Sequence, residues 1–438
     1  MRFSLLWLFA AGNAHLTPHF RHIHPSPPPS IHADYATMRI LTRIAFIFAP
    51  LVIAFVFNEF LVYHVVISGC SWPESHPTTS AVNTTRVMIV ADTHLLGKWK
   101  GHWFDKMKRE WQMLRAFQAA ITHLSPEAVF FLGDLFDEGA FSGIKDLETY
   151  ANQFDYLFSV PKGVKLFMVP GNHDIGHHYE MHPGRVDWFS QRYGMDATVS
   201  YVNLGGNHII LINSMALEQD GCRLCEDAEL GIKELSKELE CSLKPDCNSK
   251  LAGAYSRPVV MMHFPLFRPN DLPCNPDDDL MPEPSRSAAY KEAWDCLSNS
   301  STNLILKALK PRAFFGGHSH YSCSRWWSAP WHMWEYTLAS FSWRNNFGPS
   351  FLLVNLSPSE VNVHKCMMPN EITTFIVYAL ALIASVIIAA REFCLFRKGR
   401  IQGSDRGPIR LQNDQNKLLF EKAVDLRQSG SGFTYFRH

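Results

Sequence analysis

Two long apolar runs frame the chain. Residues 44–67 are apolar except for Asn58, Glu59 and His64, and residues 372–390 carry no charge before Arg391. At 1.5 Å of rise per residue, each run is long enough to cross ~30 Å of hydrocarbon as a helix. Pro50 and Glu59 make the first run the less regular, and its carboxylate is tolerable only near a boundary or facing the other helix. Between the runs the pattern changes. Apolar segments at 86–92, 128–134, 165–170, 208–214, 258–263 and 313–317 are short, rich in β-branched and aromatic residues, and bounded by Gly, Pro or Asp. That pattern predicts strands, with more near 334–341, 350–356 and 360–364. Trp111, Leu114, Phe117, Ile121 and Leu124 recur at helical spacing between the first two strands and predict a packed helix. Alternating strands and helices imply a layered α/β domain with two sheets.

The expected organisation is an N-terminal segment (1–43), a transmembrane helix (44–67), a folded domain (68–371), a second transmembrane helix (372–390) and a polar tail (391–438). The start, with its histidines and the proline stretch at 25–29, has too few apolar residues for a core. Residues 3–11 resemble the apolar part of a signal peptide, and Met38 is an alternative start. Arg39 and Arg43 precede the first run, while Arg391, Arg397, Lys398 and Arg400 follow the second. Basic outer flanks predict cytosolic termini and a domain in a lumen. Cysteine usage agrees, because of the 10 cysteines only Cys394 falls outside the enclosed stretch, where disulfides persist. Sequons at Asn83, Asn299 and Asn355 lie there too. The 41 basic residues balance the 41 acidic ones, which gives no argument for nucleic acid as a partner.

Five of the predicted strands end in polar residues. These are Asp92-Thr93-His94, Gly133-Asp134-Leu135-Phe136-Asp137, Gly171-Asn172-His173-Asp174, His263, and Gly317-His318-Ser319-His320. Open α/β sheets gather such side chains on one rim, at the carboxyl ends of adjacent strands. Taken singly, Gly-Asn-His-Asp and Gly-His-x-His are moderately specific; five such elements in this order leave little room for chance. Carboxylate, amide and imidazole without thiolate suit manganese, iron or zinc. Two such cations ~3.5–4 Å apart would clamp both oxygens of an in-line phosphoryl displacement and activate a water.

This set resembles the calcineurin-like metallophosphoesterase family, whose pattern is D-x-H, G-D-x-x-D, G-N-H-[DE], H and G-H-x-H. The resemblance implies a four-layer α/β fold, a two-sheet β-sandwich flanked by helices, here between two transmembrane helices. It also implies two divalent metal ions per subunit. By position, Asp92, His94, Asp134 and His320 hold one ion. Asp134 bridges, and Asn172, His263 and His318 hold the second. His173 falls at the general-acid position and Asp174 where that histidine is oriented. Asp137 reads equally as a residue orienting a ligand and as a plain structural one. Purple acid phosphatases place a tyrosine there, which argues against that branch.

The stretches "ADTHLLGKWKGHW", "REWQM", "FLGDLFDEG", "GNHDIGHHYEM" and "SFSWRN", with the paired apolar runs, are similar to one membrane-anchored branch of the family. That branch removes an ethanolamine-phosphate side branch from the second mannose of glycosylphosphatidylinositol (GPI) anchors, promoting transport from the endoplasmic reticulum (ER) to the Golgi. The resemblance therefore implies a phosphodiesterase using manganese, with zinc or iron as alternatives. Implied partners are GPI-anchored proteins, the bilayer and ER-export cargo receptors, and the implied location is ER exit sites, the ER–Golgi intermediate compartment or the Golgi. His102, His178 and Tyr179 are expected at the glycan pocket. The alternatives are a metal-dependent phosphatase or phosphodiesterase for another substrate, and a non-catalytic receptor for GPI-anchored cargo. The end, "GSGFTYFRH", lacks the lysine-rich retrieval signal of a cycling protein. Cys222, Cys225, Cys241 and Cys247 read as disulfides in preference to a zinc site, with connectivity open, and residues 218–255 read as an insertion by the rim.

Overall fold

The computed structural model describes residues 31–74 and 84–404, apart from residues 245, 252, 346 and 347. The histidine-rich start, the sequon at Asn83 and residues 405–438 lie outside the described residues. The chain divides into two units, Met1–Ala49 with Ser385–His438, and Pro50–Ala384. In the first unit, Arg43 Nε lies 3.3 Å from Glu392 Oε2. Both sheets and the candidate site lie in the second unit.

The strands in chain order are β1 (Thr85–Val90), β2 (Ala128–Leu132), β3 (Lys165–Val169), β4 (Val199–Leu204), β5 (Asn207–Ile212), β6 (Val259–Met262), β7 (Ala313–Gly316), β8 (Cys323–Trp327), β9 (Met333–Thr337), β10 (Ser350–Leu356) and β11 (Val361–Met367). One sheet runs β11-β10-β1-β2-β3 and the other β4-β5-β6-β7-β9-β8. The inner strands are parallel, β1 with β2 and β3, and β5 with β6, β7 and β9. Antiparallel strands close both edges of the second sheet and the β10–β11 edge of the first, whose other edge is the parallel β3. The helices are α1 (Ile31–Val56), α2 (Val62–Ile67), α3 (Trp103–Leu124), α4 (Ile144–Leu157), α5 (Asn172–Ile175), α6 (Pro183–Tyr193), α7 (Arg223–Ser242), α8 (Asn299–Leu309) and α9 (Glu371–Ser404).

Strand periodicity sorts the core into three layers. Side chains alternate faces along a strand. Val87, Ile89, Phe130 and Leu132 therefore meet Ile209, Leu211, Val259, Met261 and Phe315 between the sheets. The alternate residues Met88, Val90, Val129 and Phe131 face out and pack on Met113, Phe117, Ile121 and Phe154 of α3 and α4. On the far side Ile210, Ile212, Val260 and Met262 are covered by Ala228 and Ile232 of α7 and by Ile305 and Leu306 of α8. The result is helices, sheet, sheet, helices, the expected four-layer sandwich. Segment 218–255 is thus mainly α7, an outer layer of the fold and not an insertion at the rim. Its apolar stripe is read only if the helical period is extended across the cysteines.

Two expectations shift at the ends. Helix α1 begins at Ile31, so part of the segment expected to lack structure is helical, and α9 runs past residue 390 to Ser404. The stretches Thr37–Ile67 and Glu371–Lys398 are long and apolar enough to cross a membrane. A π-helical turn, Phe57–Leu61, separates α1 from α2 and carries Asn58 and Glu59, which face the second run. Asn58 Nδ2 donates to the Thr374 carbonyl at 3.2 Å, and Tyr378 donates to Glu59 Oε1 at 2.7 Å. Glu59 accordingly faces the other helix.

The cysteines pair as Cys70–Cys366, Cys222–Cys225, Cys241–Cys247 and Cys274–Cys323, as expected of disulfides and not of a zinc site. Asn299 is exposed at the start of α8, whereas Asn355 is buried in β10 and donates to the Pro73 carbonyl at 2.6 Å. The long connection after β6 is tied down by Arg268, which is wholly buried. Its Nε donates to Asp271 at 2.7 Å and its Nη1 to Thr337 at 3.1 Å, with Glu335 Oε1 at 3.5 Å. Removing one partner of a buried ion pair strands the others, at a cost of about 3–5 kcal/mol. Arg268→Met should lower stability by that amount in equilibrium unfolding of the detergent-solubilised chain. A variant within about 1 kcal/mol of the parent would show that Asp271 and Glu335 do not depend on it.

Candidate metal centre

Each ligand-bearing strand stops just before its ligand. β1 ends at Val90, two residues before Asp92, and β2 ends at Leu132, two before Asp134. β6 gives way to His263 and β7 to His318 in the same manner. Beyond the strands the backbone turns left-handed, at φ 56° for Asp92, 45° for His94, 51° for Asp134, 74° for His318 and 62° for His320. In residues with a Cβ such conformations cost on the order of 1–3 kcal/mol each and persist only where the surroundings enforce them. Gly171 provides the room that makes the cluster fit, since a Cβ there would overlap the Asp134 carboxylate.

Two donor sets share Asp134. In the first, His94 Nε2 lies 2.9 Å from His320 Nε2, 3.4 Å from Asp134 Oδ2 and 3.8 Å from Asp92 Oδ1. In the second, His263 Nε2 lies 3.0 Å from Asn172 Oδ1, 3.3 Å from His318 Nδ1 and 3.4 Å from Asp134 Oδ1. The structure brings all seven expected ligands together, five of them buried, with His318 and His320 half-buried at the rim.

Hydrogen bonds on the outer side of the rings decide what the inner side offers. His94 Nδ1 faces Asp137 Oδ1 at 3.2 Å, His263 Nδ1 faces the Leu132 carbonyl at 2.8 Å, and His318 Nε2 faces the Trp294 carbonyl at 2.9 Å. Each acceptor fixes the proton on the outer nitrogen, so the inner nitrogens are lone pairs aimed at one another and at carboxylates. Asp134 Oδ2, also buried, has no hydrogen-bond partner. A set of converging lone pairs is satisfied by cations, and these donors fit two divalent ions with Asp134 between them.

Electrostatics point the same way. Burial, relieved by His263 and reinforced by Asp134, pushes the Asp92 carboxyl up to about 8. Burial alone would lower His263, yet Asp134 and Asp92 push it up to about 9, a demand for positive charge at that nitrogen. Burial and the neighbouring His94 pull His320 down to about 3, which keeps it a neutral, ligand-competent imidazole. Protons and metal compete for these lone pairs, so acid weakens binding.

The Calcineurin-like phosphoesterase family matches residues 85–322, more than half of the chain, and this chain belongs to that family. It is a metal-dependent phosphoesterase whose fold carries a dimetal site. Its relatives are more particular. Metallophosphoesterase 1 of Ailuropoda melanoleuca is 40% identical over 341 residues, covering 76% of this chain and 86% of the relative. The Metallophosphoesterase 1 homolog of Drosophila melanogaster is 39% identical over 365 residues, covering 82% of this chain and 96% of the relative. Among solved structures, a dimetal phosphatase from Danio rerio is 12% identical with a TM-score of 0.35, covering 65% of this chain and 99% of its own.

Around the ligands, several roles differ from those expected. Asp174 does not touch the His173 ring. Its carboxylate accepts from the backbone N–H groups of Phe136 at 2.9 Å and Gly171 at 2.8 Å, stapling two ligand loops together. The orienting role falls to Asp137, whose carbonyl lies 3.2 Å and whose Oδ1 lies 3.4 Å from His173 Nδ1. Burial would raise the Asp137 carboxyl, but hydrogen bonds from His94 and Arg344 hold it well below the usual carboxylate range. His102 caps α3 by accepting from Phe104 N, and His178 is clamped between the Met215 carbonyl and Asp220. Tyr179 is exposed. Two aromatics border the ligands: Phe264, 4.4 Å from the His318 ring, and His177, stacked on Trp294 at 4.1 Å and 6.4 Å from the His318 ring. Sequence reasoning missed Lys100, Arg344 and Trp294, although Lys100 and Arg344 both stand in stretches noted for family likeness.

Two predictions follow from the shared carboxylate and its neighbour. Asp92→Ala removes one donor from one set, so an excess of divalent metal should partly restore the rate of phosphoester hydrolysis by mass action. Asp134→Ala takes a donor from both and should be rescued far less; equal rescue of the two would contradict the bridging assignment. Asp137→Asn should weaken metal affinity or activity ~10–100-fold by loosening His94 and His173. Unchanged affinity and rate in a metal titration would reduce Asp137 to a structural residue.

Proposed function

We propose that this chain is a membrane-anchored dimetal phosphodiesterase that removes the ethanolamine-phosphate branch on the second mannose of GPI anchors. Manganese is the proposed metal, and the lumen of the ER–Golgi pathway the proposed place. The observation that carries the chemistry is the pair of four-donor sets sharing Asp134. The substrate rests on the family-like stretches around those sets and on the two apolar helices, which would keep the enzyme with lipid-borne phosphodiesters.

When bound, two divalent cations supply Lewis-acid clamping of the phosphoryl oxygens and activate a water. The protein's own residues do the rest. His173, partly open to solvent, is held at Nδ1 by Asp137, which leaves Nε2 to give a proton to the leaving alkoxide. The backbone N–H of His173 donates to Asp134 Oδ1 at 2.8 Å, fixing the ring's base against the cluster. Arg344 Nη1, 2.8 Å from Asp137 Oδ2, and Lys100 Nζ, 3.3 Å from it, bring positive charge to the side of the rim where a phosphodiester anion would enter.

Hydrolysis assays with GPI glycans carrying ethanolamine phosphate on defined mannoses, with the metal varied, test this directly. Release from the second mannose, fastest with manganese and abolished in a well-expressed Asp134→Asn variant, is the expected result. Activity confined to phosphoproteins or nucleotides would replace the substrate. Tight glycan binding without hydrolysis would favour a cargo receptor.

A further inference from the structure

Helix α3 packs side-on against the last part of the first apolar helix. At its carboxyl end, Trp72 donates to the Leu124 carbonyl at 2.9 Å. Midway, Trp111 donates to the Glu59 carbonyl at 3.1 Å and stacks edge-on against Phe60 at 5.2 Å. Nearer its start, Lys108 and Arg109 pair with Glu371 at 2.5 and 2.8 Å, and the Lys108 ammonium sits 4.7 Å from the Phe375 ring centre. Traced backward, α3 thus passes from beyond residue 67 to the level of residue 59, inside the first apolar stretch, and of residues 371–375, where the second begins. Its first turns lie further along that path.

Those first turns are apolar and exposed. Trp103 is 67% exposed, Phe104 52% and Met107 53%, one face of the helix at i, i+1 and i+4, and Trp99 in the preceding loop is 67% exposed. Ile372 and Phe375 of α9, beside Lys108, are likewise open at 54% and 58%. Lys98, Lys100, Lys106 and Lys108 are interleaved with these aromatics. Tryptophan and lysine mixed on a short amphipathic face, continuous with apolar helices, is the composition of a segment lying in a membrane interface.

The same loop is bolted to the metal centre. The Glu138 carboxylate accepts from the backbone N–H of Trp99 at 2.9 Å and from that of Lys100, while Lys100 Nζ reaches Asp137. Asp137 in turn touches His94 and His173. Wherever Trp99 and Trp103 are placed, the Asp137–His173 side of the rim is placed with them.

We infer that Trp99, Trp103, Phe104 and Met107 enter the interface of the bilayer that the two apolar helices cross. They press the Asp137–His173 rim toward its surface, so the centre takes phosphodiesters carried in that leaflet ahead of dissolved ones. This rests on the reading of the chain as a membrane-spanning phosphodiesterase.

The test uses the full chain in phosphatidylcholine vesicles, in a Cys394→Ser background. An environment-sensitive nitrobenzoxadiazole label is placed at Trp103→Cys and, as control, at Leu230→Cys on α7. The label at 103 should shift to the blue and be quenched by lipids bearing a shallow nitroxide. The label at 230 should respond only to aqueous iodide. In parallel, Trp99→Ser/Trp103→Ser/Phe104→Ser/Met107→Ser should cleave dissolved bis(p-nitrophenyl) phosphate within about twofold of the parent rate. It should lose about tenfold or more on a GPI-anchored reporter held in the same vesicles. A label at 103 that behaves like the one at 230, in a chain that floats with the vesicles and resists carbonate, overturns the inference alone. A label at 103 shielded only when a protein cargo is added assigns the patch to a protein partner and also overturns it. Release of the parent chain by carbonate overturns the membrane-spanning reading and the inference with it. The label reports depth without catalysis, so a wrong GPI substrate leaves that arm intact.

Discussion

Asp134 is a single buried carboxylate whose two oxygens each lie 3.4 Å from a histidine nitrogen, Oδ2 from His94 and Oδ1 from His263. The surrounding geometry follows from keeping that arrangement. Gly171 lacks a side chain because one would overlap the carboxylate, and five ligands accept left-handed backbone so that their donors converge on it. Without cations the cluster would be a concentration of buried carboxylate and lone-pair density, which a low-dielectric interior penalises heavily. With them, one residue ties the two sheets' strand ends into a single site. Asp92 and Asp134 come from the first sheet and His263 and His318 from the second.

A ring of second partners makes the cluster chemically definite. The carbonyls of Leu132 and Trp294 and the carboxylate of Asp137 each fix the tautomer of one histidine, and Arg344 and Lys100 hold Asp137 in place. Such partners are what turn a set of ligating residues into a site of fixed geometry. Asp174 serves the same end differently, by joining the Phe136 and Gly171 loops through its two oxygens.

Much of this was legible in the residues, because short apolar runs rich in β-branched and aromatic residues and ending in Asp, Asn or His carry both strand and site in one signal. The ligand set and the strands that carry it came from that pattern, and the helix through 111–124 from its own helical spacing. β4 and β8 did not, since they are edge strands whose residues are mixed, as Arg325 and Trp326 show. The predicted strands also ran one or two residues too long wherever the ligand sits in left-handed backbone, a conformation that residue type does not announce. Roles set by tertiary contact stayed hidden. Nothing in Gly-Asn-His-Asp tells that the aspartate turns to the backbone while Asp137, 36 residues earlier, holds the histidine. Likewise His178 and His102 look like pocket residues in the sequence and are spent on local hydrogen bonds.

That one carboxylate organises two cation sites is a countable property of the protein. It is tested most directly by counting transition-metal ions per chain, using inductively coupled plasma mass spectrometry after gel filtration in chelator-free buffer. Two ions per chain is the expected count. One ion or none, in protein that hydrolyses a phosphodiester at its full rate, would contradict it.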